Sequence, residues 1–266
     1  MRGGPAFPRN PDVEGTQHLK TAAVTAVILT RDEERNLPRA LTSLPRGIHV
    51  LVLDACSRDH TVQFARGAGA EVVQREWTDF VDARRFALSC VRTPWVLMID
   101  ADEALDDVLR ESVLGCSDDA DGYVVARTTY FCGRPMRLWR NEPLLRLFRV
   151  GRATLEANPA AGGSAALHER WSSDGRIGRL SGTLLHFSYP DYASYRVKYE
   201  SYTRTEARGV RKSLPGFARA WLGGVLRFPW LLCAKGALLD GPRGIYVAYK
   251  SAMYPAVVAW KALRNV

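Results

Sequence analysis

The chain has few cysteines and no pattern among them. Cys56, Cys90, Cys116, Cys132 and Cys233 are scattered, and no pair has C-x-x-C spacing. That spacing excludes a zinc ribbon and a disulfide framework, so the five are expected as reduced thiols of a cytosolic protein. No run of about 18 apolar residues exists, so no simple transmembrane helix is expected. The nearest approach, residues 220–239, is broken by Arg227, Pro229 and Lys235. The first twenty residues lack the apolar core of a signal peptide and read as a loose leader. No internal repeat is visible, which excludes solenoids and propellers. Fourteen prolines and 22 glycines in 266 residues exclude a collagen-like or low-complexity chain. Hydrophobic residues at 47% and charged ones at 24% exclude wholesale disorder and leave an ordinary globular protein.

What the chain does have is an uneven charge. Its net charge is +9, and all of that excess lies in residues 191–266, which hold 13 basic and 4 acidic residues. A neutral body with a basic tail suits an anionic partner: a membrane surface, nucleic acid or a phosphorylated acceptor.

The body alternates strand and helix. Residues 22–29, His49 to Leu53, Glu71 to Gln74 and Trp95 to Ile99 are short, apolar and rich in β-branched residues, as buried strands are. Helices are expected between them, from Arg31 to about Leu44, from an N-cap at Asp59 to about Ala68, over 81–91 and over 105–114. This order predicts an α/β fold with a mostly parallel sheet flanked by helices. From residue 121 the pattern is less regular, with strands at 122–126 and 145–149 and an Ala/Gly-rich loop over 153–166. After Pro190 the chain becomes helical, basic and aromatic. The expected organisation is a leader over 1–20, a catalytic domain over 21–190 with halves at 21–115 and 116–190, and a basic helical extension over 191–266.

Ligands of open α/β sheets bind beyond the carboxyl ends of the strands. Three acidic clusters fall there: Asp32 to Glu34, Asp54, and Asp100 with Asp102. In Asp100-Ala101-Asp102 two carboxylates at i and i+2 are expected on one side of an extended segment. Their crowding favours a divalent cation, and oxygen ligands suit Mg²⁺ or Mn²⁺ bound together with substrate phosphates. Such a cation offsets charge on a diphosphate leaving group. A solvated turn capping the next helix is the simpler explanation of a lone D-x-D. Asp54 has the chemistry to accept hydrogen bonds from a nucleobase or a ribose hydroxyl, against a role in bracing its own loop. Arg84 or Arg85 reaches a diphosphate or base, or lies on a solvated helix face. Glu169, beside His168, has the chemistry of a general base for an acceptor hydroxyl, or is half of a structural surface pair.

These segments resemble the motifs of the family 2 glycosyltransferases of the GT-A fold. Thr30-Arg31-Asp32-Glu33-Glu34-Arg35-Asn36-Leu37 is similar to T-x-N-E-E-x-x-L, with Asp32 for Asn. Asp54 to Thr61 is similar to D-x-G-S-x-D-G-T, with Cys56 and His60 for the glycines. Phe80 to Leu88 resembles F-x-x-Q-R-N-F-A-L, with Arg84 in place and Ala83 and Arg85 substituted. Asp100-Ala101-Asp102-Glu103 matches D-A-D-E. Leu167-His168-Glu169, Gly178 to Gly182, His186, Lys198-Tyr199 and Gly236 to Gly241 extend the likeness to a subgroup of lipopolysaccharide-core β-glucosyltransferases.

The resemblance implies that Thr30, Glu33 and Asp54 hold the nucleoside, with Arg84 nearby. It implies that Asp100 faces the ribose or the metal's water shell and that Asp102 ligates the metal. It implies Glu169 as the base in a single displacement with inversion, a UDP-sugar as donor, and a glycan or glycolipid as acceptor. The substitutions at Asp32, Cys56, His60 and Arg85 line the base-binding edge and bear on which nucleotide sugar is used.

The tail interleaves Trp221, Phe228 and Trp230 with Arg219, Arg227 and Lys235. That composition suits the interface of an anionic membrane and predicts a peripheral protein on the inner face of the cytoplasmic membrane. A nucleotidyltransferase is the competing enzyme, but the acidic segment after the first strand is not a Gly-rich phosphate loop. A nucleic-acid-binding protein is the competing non-enzyme; no RRM, KH or helix-turn-helix pattern supports it. A degenerate scaffold is argued against by the intact Asp100, Asp102 and Glu169.

Overall fold

The computed structural model describes residues 21–77, 79–157 and 169–264, with main chain alone at Thr21, Ala157 and Glu169. The four expected strands form as β1 (Val24–Thr30), β2 (His49–Asp54), β3 (Glu71–Gln74) and β4 (Trp95–Asp100). Between them lie α1 (Leu37–Ser43), α2 (Thr61–Gly67) and α3 (Phe80–Cys90). β1 pairs in parallel with both β2 and β4, and β2 with β3. β1 is buried along its whole length because helices cover both of its faces. Ala26, Ile28, Leu97 and Ile99 pack towards Leu37 and Ala40 of α1. Val27, Leu29, Val96 and Met98 point the other way, onto Ala83 and Ala87 of α3. The period of two along each strand sorts these side chains between two cores.

Two helix starts differ from expectation. The acidic run Arg31 to Glu34 stays in a loop, and α1 begins only at Leu37, with Asn36 as N-cap. The amides of Asp32, Glu33 and Glu34 and the carboxylates of Asp32 and Glu34 bond the segment after β2, as described below, and so do not enter a helix. At α2 the N-cap is His60, while Asp59 stands one residue earlier and accepts from the Thr61 amide.

Beyond Asp100 the sheet becomes mixed. β5 (Glu103–Leu105) and α4 (Asp107–Leu114) precede the long β6 (Gly122–Phe131). Then come β7 (Arg134–Pro135), β8 (Glu142–Arg149), β9 (Thr154–Ala157), β10 (Glu169–Ser172) and β11 (Ile177–Tyr189). The main sheet runs β3-β2-β1-β4-β8-β6-β11-β5, with β7 on β6, and β9 and β10 form a separate ribbon. β8 enters antiparallel to both β4 and β6. The segment expected as an Ala/Gly-rich loop over 153–166 thus opens with a strand, and its residues 158–166 lie outside the described residues.

Three long helices close the chain: α5 (Tyr192–Ala207), α6 (Leu214–Cys233) and α7 (Pro242–Arg264). They are not a detached tail. Tyr195, Tyr199 and Val247 share a core with Phe131 and Met136 of the sheet half. α6 lies against α7 where Gly224 leaves no room for a side chain, its Cβ position falling 2.8 Å from Met253 and 2.9 Å from a carbonyl. Among the described residues, no helix is long and apolar enough to cross a membrane.

β11 carries a bulge between Arg179 and Thr183. Gly182 sits in it with φ +88°, and a Cβ there would meet the Leu109 amide of α4 at 2.2 Å. Both the backbone angle and the close approach demand glycine. Gly182→Ala is therefore expected to destabilise the fold by roughly 2–5 kcal/mol, the sum of left-handed strain and overpacking. A chemical-denaturation midpoint equal to that of the parent protein would show that α4 does not rest on this bulge.

Candidate active site

The carboxyl ends of three parallel strands gather the acidic residues. Thr30 stands beside Asp54, and Leu29 beside Asp100, in the strand register. Asp54 is fully buried, and its hydrogen bonds are made within the protein. It accepts from the Thr30 hydroxyl at 3.0 Å, from both the amide and the hydroxyl of Ser57, and from Gln74. Its carboxylate thus braces the loop after β2. Two loops are stitched together above it. The Asp32 carboxylate accepts from the Arg58 amide at 2.8 Å, and Glu34 accepts from His60. The Glu33 amide donates to Thr61 at 2.8 Å, and that of Glu34 to Asp59 at 3.1 Å. Cys56 holds φ +56° and Asp32 φ +53°, the left-handed region where glycine and asparagine are at home.

The Asp100-Ala101-Asp102-Glu103 turn divides its acids. The Asp100 carboxylate accepts from Arg84 at 2.9 Å and from Arg146 at 3.1 Å. Burial works against its ionisation, but the two guanidiniums hold the carboxyl far below its ordinary value. Glu103 has no exposed surface; it accepts from the Asp100 amide at 3.0 Å, from Arg127 at 3.2 Å and from Arg146 at 2.7 Å. Arg84 is buried against Asp100, so its place is under the turn and not on a solvated helix face.

Asp102 faces elsewhere. Its carboxylate lies 3.4 Å from His186 Nε2, and the Phe187 amide donates to the Asp102 carbonyl at 2.8 Å. The expectation that Asp100 and Asp102 point to one side is corrected here: the chain turns at Ala101, and the two carboxylates have different partners. Burial opposes the charge of Asp102, yet the hydrogen bond and charge of His186 outweigh it and hold the carboxyl below its usual range. His186 Nδ1 shares a hydrogen bond with Thr129 Oγ1 at 3.0 Å, which fixes the ring and turns Nε2 to the aspartate.

Three more groups lie within electrostatic reach of Asp102. Burial pushes the Glu33 carboxyl up, opposed by a hydrogen bond from Asn36 and reinforced by Asp102. Arg39 lies over the Phe187 ring at 3.7 Å and is lowered by burial, with Asp102 and Glu33 acting against that. Lys198 donates to the Ser188 carbonyl and hydroxyl, both at 3.1 Å, and its charge favours ionised Asp102. Tyr189, under Lys198, is pushed up to about 12 by burial. Among the described residues no three His, Cys, Asp or Glu side chains converge as a ready-made metal cage. Asp102 and His186 are a donor pair that fits a divalent cation whose remaining ligands come from water and phosphate oxygens. His168 lies outside the described residues; Glu169 opens β10, its main chain paired with Ala157.

Comparison with known proteins bears on this arrangement. The model of glycosyl transferase family 2 matches residues 25–201. The chain belongs to glycosyltransferase family 2. It is 30% identical to the lipopolysaccharide core biosynthesis glycosyltransferase LpsC of Rhizobium meliloti, over 90% of this chain and 91% of that protein. It is 36% identical to an uncharacterized glycosyltransferase of Rickettsia conorii over 48% of this chain and 45% of that one. A mannosyltransferase from Pyrobaculum calidifontis, solved with GDP-Man and Mn²⁺, superposes with a TM-score of 0.52 at 14% identity. That match covers 91% of this chain and 87% of the other, and it identifies the α/β sheet with its flanking helices as the GT-A fold.

In this family 2 glycosyltransferase the D-A-D-E turn is held by Arg146, which sequence reading did not single out. Arg146 is 6% exposed, and its guanidinium lies between Asp100 and Glu103. Arg146→Met is expected to cost roughly 1–3 kcal/mol, because it takes from two buried carboxylates a guanidinium that they share while Arg84 and Arg127 remain. An unchanged thermal midpoint would show that Arg84 and Arg127 hold the turn without it.

Proposed function

We propose that the protein is an inverting hexosyltransferase. It takes the sugar from a nucleotide diphosphate donor, a UDP-sugar, and places it on a hydroxyl of a lipid-linked envelope glycan, as in lipopolysaccharide-core assembly. The observation that carries this reading is the Asp102–His186 pair at the carboxyl edge of the sheet, in a chain of glycosyltransferase family 2. The envelope part rests on the likeness to LpsC over nearly the whole chain.

Asp102 and His186 would hold Mg²⁺ or Mn²⁺, which supplies charge stabilisation to the departing diphosphate. Lys198 and Arg39 add positive charge on the same side, where a diphosphate would otherwise face Glu33 and Asp102. Thr30 and Asp54 act on the nucleoside through the loop they brace, and Glu33 helps to hold it. Asp100 and Arg84 keep the turn in place beneath the donor. Glu169 takes the proton from the acceptor hydroxyl as that oxygen attacks the anomeric carbon and the bond to the diphosphate breaks, giving inversion.

A peripheral place on the inner face of the cytoplasmic membrane belongs to the same reading. Leu214, Trp221, Leu222, Leu226 and Trp230 of α6 are all about half exposed or more. Exposed apolar surface of this extent marks an interaction face. Arg219 and Arg227 among them favour anionic lipid over nucleic acid, which would want cations without the apolar stripe.

The donor reading is tested by thermal shift with UDP-, GDP-, ADP- and CMP-sugars, with and without Mn²⁺. A UDP-sugar with Mn²⁺ should stabilise the protein by about 3 kcal/mol at a hundredfold excess over Kd. Asp102→Asn should remove the metal-dependent part of both shift and turnover, and full turnover in that variant sinks the metal assignment. Glu169→Gln should lower kcat by about 10²–10⁴ while leaving the donor shift in place.

The membrane reading is tested by sedimentation with phosphatidylglycerol vesicles. Replacing Leu222, Leu226 and Trp230 together by serine should weaken partition by at least about tenfold. Equal partition of the variant and its parent would remove α6 from the interface.

A further inference from the structure

A cavity of about 650 Å³ lies between α5, α6 and α7, apart from the cleft at Asp102. Its inner wall is aromatic: Trp139, Tyr195, Tyr199 and Tyr254, with Val258. Tyr195, Tyr199 and Val258 are buried, whereas Arg211 and Arg227 are exposed and stand at its rim. Among the described residues that line the cavity, Glu206 is the one carboxylate, and it accepts from the Tyr254 hydroxyl at 2.8 Å. An apolar hollow of this size with a few polar groups has the form of a small-molecule site.

Two observations say what fits it. Gly216, Ala220 and Arg227 line the cavity from α6 at spacings of four and seven, so they form one stripe of that helix. That stripe lies between the side packed on α7 through Gly224 and Leu231 and the exposed apolar face carrying Leu222, Leu226 and Trp230. The mouth therefore borders the surface proposed to meet lipid. At the other end the cavity is lined by Tyr189, which stands three residues beyond His186 on β11 and whose ring lies 5.3 Å from Lys198 Nζ. The cavity thus runs from the apolar face of α6 to the edge of the candidate active site.

We infer that this cavity takes the hydrocarbon chain of a phosphorylated membrane lipid, with the phosphate at Arg211 and Arg227. The inference rests on the proposed lipid-linked acceptor and gives its lipid part a place in the fold. Aromatic walls and small residues at Gly216, Ala220 and Ser251 accept a flexible chain without a polar counterpart. The two arginines offer a charge complement to a phosphate, which a lipid without one would not use.

The test is calorimetric titration of the full chain, without donor, using lysophosphatidylglycerol below its micelle concentration. A monoacylglycerol of the same chain length, which carries no phosphate, serves as the comparison. Ala220→Trp and, separately, Ser251→Phe fill the hollow, and each variant is checked by circular dichroism for retained helix content. Both should weaken lysophosphatidylglycerol binding by at least about tenfold. The double change of Arg211 and Arg227 to alanine should weaken it to the level of the monoacylglycerol. Binding unchanged in both filled variants overturns the cavity assignment, and equal affinity of the parent protein for lysophosphatidylglycerol and the monoacylglycerol overturns the role of the arginines. A parent protein that binds lysolipid but shows no nucleotide-sugar shift would refute the proposed function and not this site. The reverse pattern would refute the site alone.

Discussion

The candidate site depends on one guanidinium. Arg146 comes from β8, the strand that enters antiparallel beside β4, and it bridges Asp100 to Glu103 across the turn that follows β4. An unpaired carboxylate with no exposed surface would be costly. With Arg84, Arg127 and Arg146 around them, Asp100 and Glu103 are matched, and the turn is locked by charge as well as by the Glu103 hydrogen bond to its own backbone. The third acid, Asp102, is left outside this arginine cluster. The four-residue motif therefore does two different jobs. Two of its carboxylates hold the turn, and the remaining one is presented to His186 and to whatever enters the cleft.

This division explains which parts of the site were legible beforehand. Strand ends are local properties: an apolar run that stops at Thr30, Asp54 or Asp100 announces its own boundary, and parallel pairing then brings those ends together. The acids near them were found for that reason. Their individual roles were not, because a carboxylate's role is set by what it faces. Nothing in the sequence around Asp54 says that Thr30, Ser57 and Gln74 will fill its hydrogen-bonding capacity. Nothing near Asp32 and Glu34 says that the loop after β2 will claim them instead of a helix. Cys56 is a partial exception. A family glycine replaced by cysteine at a position of positive φ marks a loop whose conformation is imposed by its neighbours, and the Ser57–Asp54 and Arg58–Asp32 hydrogen bonds on either side do the imposing.

The roles of Arg146 and His186 were not legible for a different reason. Each lies on an irregular strand of the second half, where no alternation of strand and helix fixes the order. The mixed sheet is what places them. β5 returns antiparallel to β11, and in that register Glu103 stands opposite His186. A residue adjacent to the D-A-D motif in sequence thereby positions a histidine far along the chain. Such a contact has no periodic signature; the only available signal was that His186 sits among residues resembling a known subgroup. The three terminal helices show the converse case. Their composition was readable as basic and aromatic, but composition does not say which aromatics are inside. Tyr195 and Tyr199 belong to the core shared with Phe131, whereas Trp221 and Trp230 stay in solvent.

β11 joins these parts. Along one strand, Gly182 meets α4, His186 meets Asp102, the Ser188 carbonyl receives Lys198, and Tyr189 closes the inner end of the cavity under α6. A slip of one residue would turn every one of these side chains to the opposite face of the sheet. The strand is pinned against that slip on both sides, by parallel pairing to β6 and antiparallel pairing to β5, with bulges before Thr183 and after His186 that set where each segment resumes. Two bulges in a single strand are hard to account for as packing alone, since a regular strand would bury the same apolar residues. They are accounted for if the stretch from Thr183 to His186 must keep the phase of β5 while the stretch at Tyr189 follows the helices. The irregularity of this half of the sheet is then the means by which the Asp102–His186 pair and an apolar cavity are held at a fixed distance from each other.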